Sequence, residues 1–238
     1  MGLRGRLAPT PTGLMHVGHA RTFATAARRA GDAGLVMRIE DLDGPRCRPE
    51  FAQAALDDLR WLGLAWTEGP DLGGPHAPYA QSGRGAWFLE VWRRLEAAGA
   101  IYPSPHSRRD VEEAATAPHG NMELADTTAG TVRRTAGSDF GDFVVWRRDD
   151  LPAYELAVVA DDHAMEIAEV VRGDDLLTST ARQILLYEAL GWPTPAWCHV
   201  PLVRDASGER LAKRSGGLAI RDLRSAGWTP DDVLTRPL

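Results

Sequence analysis

Pro9-Thr10-Pro11-Thr12-Gly13-Leu14-Met15-His16-Val17-Gly18-His19 joins a short apolar run, Leu3 to Ala8, to a helix-forming run that ends at Ala30. Two prolines, two glycines and two histidines fall at a strand-to-helix switch. Glycines let backbone approach a ligand closely, and a helix start offers unpaired N–H groups and a positive dipole end. The layout suits phosphate. His16 and His19 are three apart, so they share one helix face if both lie in the first turn. Surface histidines and Pro-Thr-Gly turns are also common in proteins without such a site, so the rest of the chain has to decide.

Downstream, Leu35 to Asp41 reads as a second strand with acids at its carboxyl end. Strand, helix and strand with short links predict a crossover in a parallel sheet, whose ligands bind beyond the carboxyl ends of the strands. The first loop and Glu40-Asp41 both belong there. Pro49 to Leu62 carries Phe51, Ala55, Leu59 and Leu62 at helical spacing. Leu64 to Ser82 is rich in Gly and Pro and reads as loop; Trp87, Val91 and Leu95 mark a helix closed by Gly99. Ile101 to Gly141 is the least regular region and reads as an insertion. Phe143 to Arg147, Tyr154 to Val159, Ile167 to Arg172 and His199 to Val203 read as strands. Thr178 to Leu190 reads as a helix capped by Thr178 or Ser179. A basic, glycine-bounded loop from Asp205 to Gly217 precedes a tail with a helix start near Pro230.

The 238 residues are enough for one large α/β domain with a small insertion. A net charge of −6 excludes a broad nucleic-acid-coating surface but leaves room for a local patch. Cys47 and Cys198 stand far apart, which argues against a disulfide framework and a cysteine-rich zinc site. No signal peptide, lipidation motif or long apolar span is legible, so a cytoplasmic protein without membrane partners is expected.

Arg6, Glu40, Tyr154 and Arg172 lie on or beside predicted strands. Buried charges there are costly unless paired or bound to a ligand. Two arginines suit carboxylates and one acid suits an ammonium, a set that fits an acidic amino acid. Internal pairing, Glu40 with Arg38 or Arg172 with Asp174, is the alternative for each residue alone. The Lys213-Arg214 pair suits a polyphosphate, although a solvated basic turn is again the alternative, and the loop lacks the P-loop pattern. Asp161-Asp162-His163 and Glu40-Asp41-Leu42-Asp43 have no specific metal-ligand spacing and are expected to be structural acids.

Five stretches, in order, resemble class I aminoacyl-tRNA synthetases of the glutamyl type. Pro9 to His19 resembles the HIGH signature, and Arg210-Leu211-Ala212-Lys213-Arg214 the KMSKS signature. Arg38 to Asp43, Ala153 to His163 and Val171 to Leu177 resemble further segments of that catalytic domain. Within the group the chain is similar to the glutamyl-queuosine branch, truncated paralogues of glutamyl-tRNA synthetase. Val158 stands where full glutamyl enzymes carry Asn, and little chain follows the KMSKS-like loop.

The resemblance implies a Rossmann-like (HUP-type) α/β parallel-sheet catalytic domain with a reduced insertion and no anticodon-binding domain. Its first half is expected over residues 1–100, the acceptor-side insertion over 101–141, the second half over 142–204, and the KMSKS-like loop and helical tail over 205–238. It implies activation of L-glutamate with ATP and Mg²⁺, then transfer to the queuosine base in the anticodon loop of tRNA(Asp), by an enzyme expected to be monomeric. His16, His19 and Lys213 become catalytic residues. Pro9, Gly13, His16, Gly18, His19, Arg210 and Lys213 border ATP, and Arg6, Ala8, Thr10, Glu40, Tyr154 and Arg172 border glutamate. The family's zinc ligands correspond to Ser104, His106, Thr128 and Val132, of which only His106 can ligate, so no zinc is expected. That departure keeps two alternatives in play: a glutamate-activating ligase with another acceptor (a small amine, carrier protein or peptide), or a non-catalytic tRNA-binding relative.

Overall fold

The computed structural model describes residues 2–105, 120–126, 130–136, 140–203 and 219–236, with 120–126 and 130–136 described by backbone alone. In chain order the elements are β1 (Gly5–Leu7), α1 (Val17–Ala30), β2 (Leu35–Met37), α2 (Pro49–Trp61), α3 (Gly85–Ala97), β3 (Gly120–Asp126), β4 (Gly130–Ala136), α4 (Tyr154–Ala164), β5 (Glu169–Gly173), α5 (Leu177–Leu190), β6 (Ala196–Val200), α6 (Ile220–Ser225) and α7 (Pro230–Thr235). They fall into two compact units.

The first unit holds Met1–Gly83, Glu169–Asp174 and Val200–Leu238. Its β1 and β2 pair in parallel, Gly5 with Leu35 through Leu7 with Met37. All six strand residues are buried, as expected of a parallel sheet covered on both faces. On the far side of β1, Glu169 N donates to Arg4 O (3.1 Å) and brings in β5. Helix α1 lays Val17, Ala20, Phe23 and Ala30 on the core. Arg29 grips Glu169 with two parallel hydrogen bonds of 2.8 and 2.6 Å, tying the last turn of α1 to β5.

The stretch from Leu64 to Ser82 is not plain loop. Glu68 and Ala80 form parallel bridges to Val36 and Ile39, and Met37 N donates to Glu68 O (2.9 Å) while Ile39 N donates to Tyr79 O (2.8 Å). Its glycines and prolines interrupt the pairing into single bridges, which hides the strand period from the sequence. Beneath it, Glu68 accepts hydrogen bonds from Arg4 and the Tyr79 hydroxyl and lies 2.8 Å from His76 Nδ1.

The second unit holds Arg84–Ala168 and Asp175–His199. Tyr154 to Val159 is part of helix α4, not a strand. A short apolar run bounded by turn residues fits a buried helix as well as a buried strand. Glu155 through Asp162 are all buried, and the acids among them find partners: Gln183 donates to Glu155 (2.8 Å) and Arg84 to Asp161 (2.5 Å). Phe143 to Arg147 forms no strand beyond a single antiparallel bridge, Trp146 with Pro152 across the turn at 148–150, flanked by hydrogen bonds from Arg147 N to Leu151 O (2.8 Å) and from Ala153 N to Val145 O (2.9 Å). Pro152 cannot extend that pairing, because it has no N–H.

Two strands lie within the stretch expected to be an irregular insertion. Strands β3 and β4 form a seven-pair antiparallel hairpin, and Asp126 pairs in parallel with Trp197 of β6. Strand β6 begins three residues earlier than expected and stops at Pro201. Helix α5 starts at Leu177 with no side-chain cap from Thr178 or Ser179, because a 3₁₀ turn at Asp174–Leu176 leads directly into it. Gly191 ends it in the left-handed conformation, as expected.

Candidate functional site

The site grows from the way α1 begins. His16 is extended (φ −117°, ψ 171°) and caps the helix: its Nδ1 accepts from Gly18 N (3.1 Å), and His16 N donates to His19 Nδ1 (3.4 Å). The two rings lie 3.9 Å apart at 32°. Since each Nδ1 accepts from backbone, each neutral imidazole carries its proton on Nε2, a tautomer assigned from the hydrogen-bond network. The pair therefore offers donors. The first turn of α1 contains no acid to neutralise its positive end. Rings and helix terminus together form a donor-rich site for an anion.

The glycines of the stretch differ in what they do. A Cβ on Gly18 would lie 3.0 Å from His16 Cε1 and 3.1 Å from its Nδ1, so a side chain there would displace the ring. A Cβ on Gly13 would meet nothing within 4 Å, so the protein's own packing does not require glycine at that position.

Three charged residues expected to meet glutamate are buried in the same unit: Arg6 and Arg172 at 4% exposure and Glu40 at 7%. Arg6 Nη1 donates to Val171 O (3.3 Å), which places it against β5 one residue from Arg172. Glu40 N donates to Pro9 O (3.0 Å) and Arg48 N to Pro11 O (3.0 Å), so the end of β2 is laced to the Pro9 turn. The internal pairing weighed for Glu40 is present, since fully buried Arg38 donates to its Oε1 (2.9 Å). Pro9 is buried, Ala8 half-buried and Thr10 exposed. Tyr154 opens α4 in the second unit and is 41% exposed. Arg210 and Lys213, like His106 and Thr128, lie outside the described residues; Ser104 is exposed and Val132 lies on β4.

The acids of the two loose clusters are engaged structurally. Asp41 accepts from Ser82 N (2.8 Å) and Oγ (2.6 Å), and Asp43 accepts from Arg46. His163 stacks on Trp192 at 3.8 Å and 6°, and burial beside Arg94 lowers its pKa. Among the described residues, no group of three His, Cys, Asp or Glu side chains is placed to hold a metal ion.

One part of the site has no counterpart in the sequence reading. Ala219 bridges His16, and Ile220 N donates to Met15 O (2.9 Å), so the residues that start α6 brace the histidine stretch. The only hint was the apolar spacing of Ile220 and Leu223, both buried.

This arrangement, a parallel sheet with a histidine-bearing turn at a helix start, agrees with the family comparison. The chain belongs to the family described as tRNA synthetases class I (E and Q), catalytic domain, which matches residues 2–117 and 113–235. More particularly, it is similar to two proteins named Glutamyl-Q tRNA(Asp) synthetase. The one from Symbiobacterium thermophilum is 44% identical over 98% of this chain and 84% of its own length. The one from Nitratidesulfovibrio vulgaris is 43% identical over 94% and 82%. A solved glutamate tRNA ligase from Elizabethkingia meningosepticum, in complex with its amino acid, superposes with a TM-score of 0.74 at 26% identity. That match covers 96% of this chain, which spans about half (54%) of that structure's length. No described helix is long and apolar enough to cross a membrane.

Proposed function

We propose that this chain activates L-glutamate with ATP and transfers it to the queuosine base in the anticodon loop of tRNA(Asp). In the first step a glutamate carboxylate oxygen attacks the α-phosphorus of magnesium-bound ATP. The bond from that phosphorus to the β-phosphate bridging oxygen breaks, and pyrophosphate leaves with the electron pair. In the second step a nucleophile of the queuosine base attacks the acyl carbon and gives up its proton to solvent; the bond from that carbon to the phosphate oxygen breaks, and AMP leaves with the electron pair. The observation that carries the proposal is the histidine pair at the start of α1, with Nδ1 atoms turned to backbone and Nε2 atoms protonated. Those donors meet the charge that builds on phosphate oxygens as the α-phosphorus becomes five-coordinate.

Arg6 and Arg172 take the two carboxylates of glutamate, and Glu40, oriented by Arg38, takes its ammonium. Pro9 and Gly13 let the turn backbone lie close to ATP. Lys213 neutralises pyrophosphate as it departs, with Arg210 beside it. The zinc-ligand positions offer one donor type among four, so the proposal includes no zinc, and elemental analysis of the purified protein checks this. The enzyme acts as a monomer, which light scattering checks.

The test is ATP–pyrophosphate exchange with each amino acid in the absence of tRNA. Exchange with glutamate alone is expected, and no exchange with any amino acid would overturn the proposal. Labelled glutamate is then expected on queuosine-containing tRNA(Asp) and not on the same tRNA lacking the base. Exchange without that transfer would favour a glutamate-activating ligase with another acceptor.

A further inference from the structure

Arg21 lies on α1, two residues beyond His19. Two positions along an α-helix turn a side chain by about 200°, so Arg21 projects away from the side that His19 takes. Its guanidinium meets backbone at the far end of the chain: Nε donates to Val233 O (3.1 Å) and Nη2 to Arg236 O. Those carbonyls belong to the last turn of α7 and to the residue that ends it. A cation there satisfies carbonyls that the helix leaves unpaired and meets the negative end of its dipole.

Helix α7 packs on α1 and buries Val233 completely. At its start Thr229 Oγ1 accepts from Asp232 N (3.2 Å), and Asp232 accepts from Thr229 N (2.9 Å). A tight turn joins it to α6: Ala226 N donates to Asp222 O (2.9 Å) and Trp228 N to Leu223 O (3.0 Å), while Ile220 and Leu223 are buried. At the other end of α6, Ala219 bridges His16 and Ile220 N donates to Met15 O (2.9 Å). The tail therefore starts on the histidine stretch and is tied back to the same helix at Arg21.

We propose that Arg21 is a positioning residue for glutamate activation: by gripping the end of α7 it closes residues 219–236 into a brace that holds the Met15–His16 backbone, from which the histidine pair projects. This role rests on the function proposed above. Each tail helix has six residues, too few to be stable alone, so the hairpin keeps its shape only where it is held. Releasing the grip frays α7, and the freedom passes through the turn to Ala219 and Ile220. A residue that merely stabilised the tail would lower the unfolding temperature and leave the rate of the folded enzyme unchanged.

The test compares wild type with Arg21→Gln in glutamate-dependent ATP–pyrophosphate exchange well below the unfolding temperature of each. Alongside it, NMR follows deuterium uptake at the Ile220 amide. The variant's kcat is expected to fall about tenfold, with the KM for glutamate and for ATP unchanged. Its Ile220 amide should take up deuterium about tenfold faster. Arg21→Lys keeps the charge but not the planar fork, and should restore part of the rate.

Thr229→Ala loosens α7 from its other end without touching Arg21. It should reproduce both effects, and the two changes together should lower kcat by less than the product of their separate effects. If Arg21→Gln does not fold, Thr229→Ala carries the test. A direct contact of Arg21 with ATP would instead raise the ATP KM and leave Thr229→Ala at the wild-type rate, and that pattern would overturn the role. So would a wild-type kcat, or an unchanged Ile220 amide, in whichever variant folds. The amide reading needs no activity, so it tests the brace by itself; absence of pyrophosphate exchange in wild type would overturn the functional proposal, and the catalytic role of Arg21 with it.

Discussion

Gly18→Ala separates the geometry of the histidine pair from the stability of the fold. Gly18 is the second residue of α1, and its φ is not in the left-handed region, so alanine fits the backbone. In a compatible position that change gains about 0.4–1 kcal/mol by restricting the unfolded chain. Against this, the new Cβ sits 3.0 Å from His16 Cε1, where carbon pairs prefer about 3.5–4.0 Å. The ring must retreat by about half an ångström, and the bond from Gly18 N to its Nδ1 weakens. Losing a helix cap costs about 1 kcal/mol. The two effects nearly cancel, so the unfolding temperature should move by no more than about 2 °C. Activity has no such cancellation. A misplacement of 1 Å costs up to about a hundredfold, so a shift of half that size should lower glutamate-dependent exchange about tenfold through kcat. The measurement is exchange rate and glutamate KM with a melting curve of the same sample. A rate within twofold of wild type at unchanged stability would show that the position of the His16 ring does not matter to the reaction.

Three further outcomes are expected. Glu40→Ala removes the carboxylate beside fully buried Arg38 and should destabilise the fold by about 3 kcal/mol in chemical denaturation; a loss under about 1 kcal/mol would mean that the pair is not what accommodates Arg38. Glu68 is pushed up by burial, but hydrogen bonds from Tyr79, His76 and Arg4 outweigh this and hold it below its ordinary 4.5. Its contribution is therefore complete above pH 4.5 and fades as pH falls through the lower folded value. Glu68→Gln should cost about 2 kcal/mol at pH 7 and progressively less below pH 4.5, whereas a gap that does not narrow in acid would contradict the sign. Lys213→Ala should slow pyrophosphate exchange far more than it weakens glutamate binding measured by calorimetry, because the charge it meets develops only as the bond breaks; an unchanged rate would remove that role.

Much of the first unit was legible because its signals are local. A turn rich in Pro and Gly between an apolar run and a helical run specifies strand, loop and helix within thirty residues, and β1, α1 and β2 follow it. The start of helix α4 reads as a strand because burial on every side erases amphipathic period: eight consecutive buried residues read the same in either conformation. The donors that make this burial tolerable, Arg84 for Asp161 and Gln183 for Glu155, are 77 and 28 residues away and invisible to a window. The brace at Ala219–Ile220 was hidden in the same way, since it joins residues about two hundred positions apart through backbone atoms that carry no residue signature.

The buried charges teach a subtler lesson. Arg6, Glu40 and Arg172 are charges costly to bury unless paired or bound to a ligand, and Glu40 has a protein partner in Arg38. That pairing was open to inspection, because residues two apart on an extended chain project to the same side. Under the proposed function the pairing need not exclude the glutamate ammonium. A carboxylate has two oxygens with lone pairs to spare, and Arg38 bonds to Oε1. Holding one oxygen sets the rotamer before any ammonium arrives, so the side chain need not be ordered during binding. Under the proposed function, internal pairing and ligand binding, alternatives from the sequence alone, become two parts of one device: the partner that makes Glu40 affordable to bury also aims it.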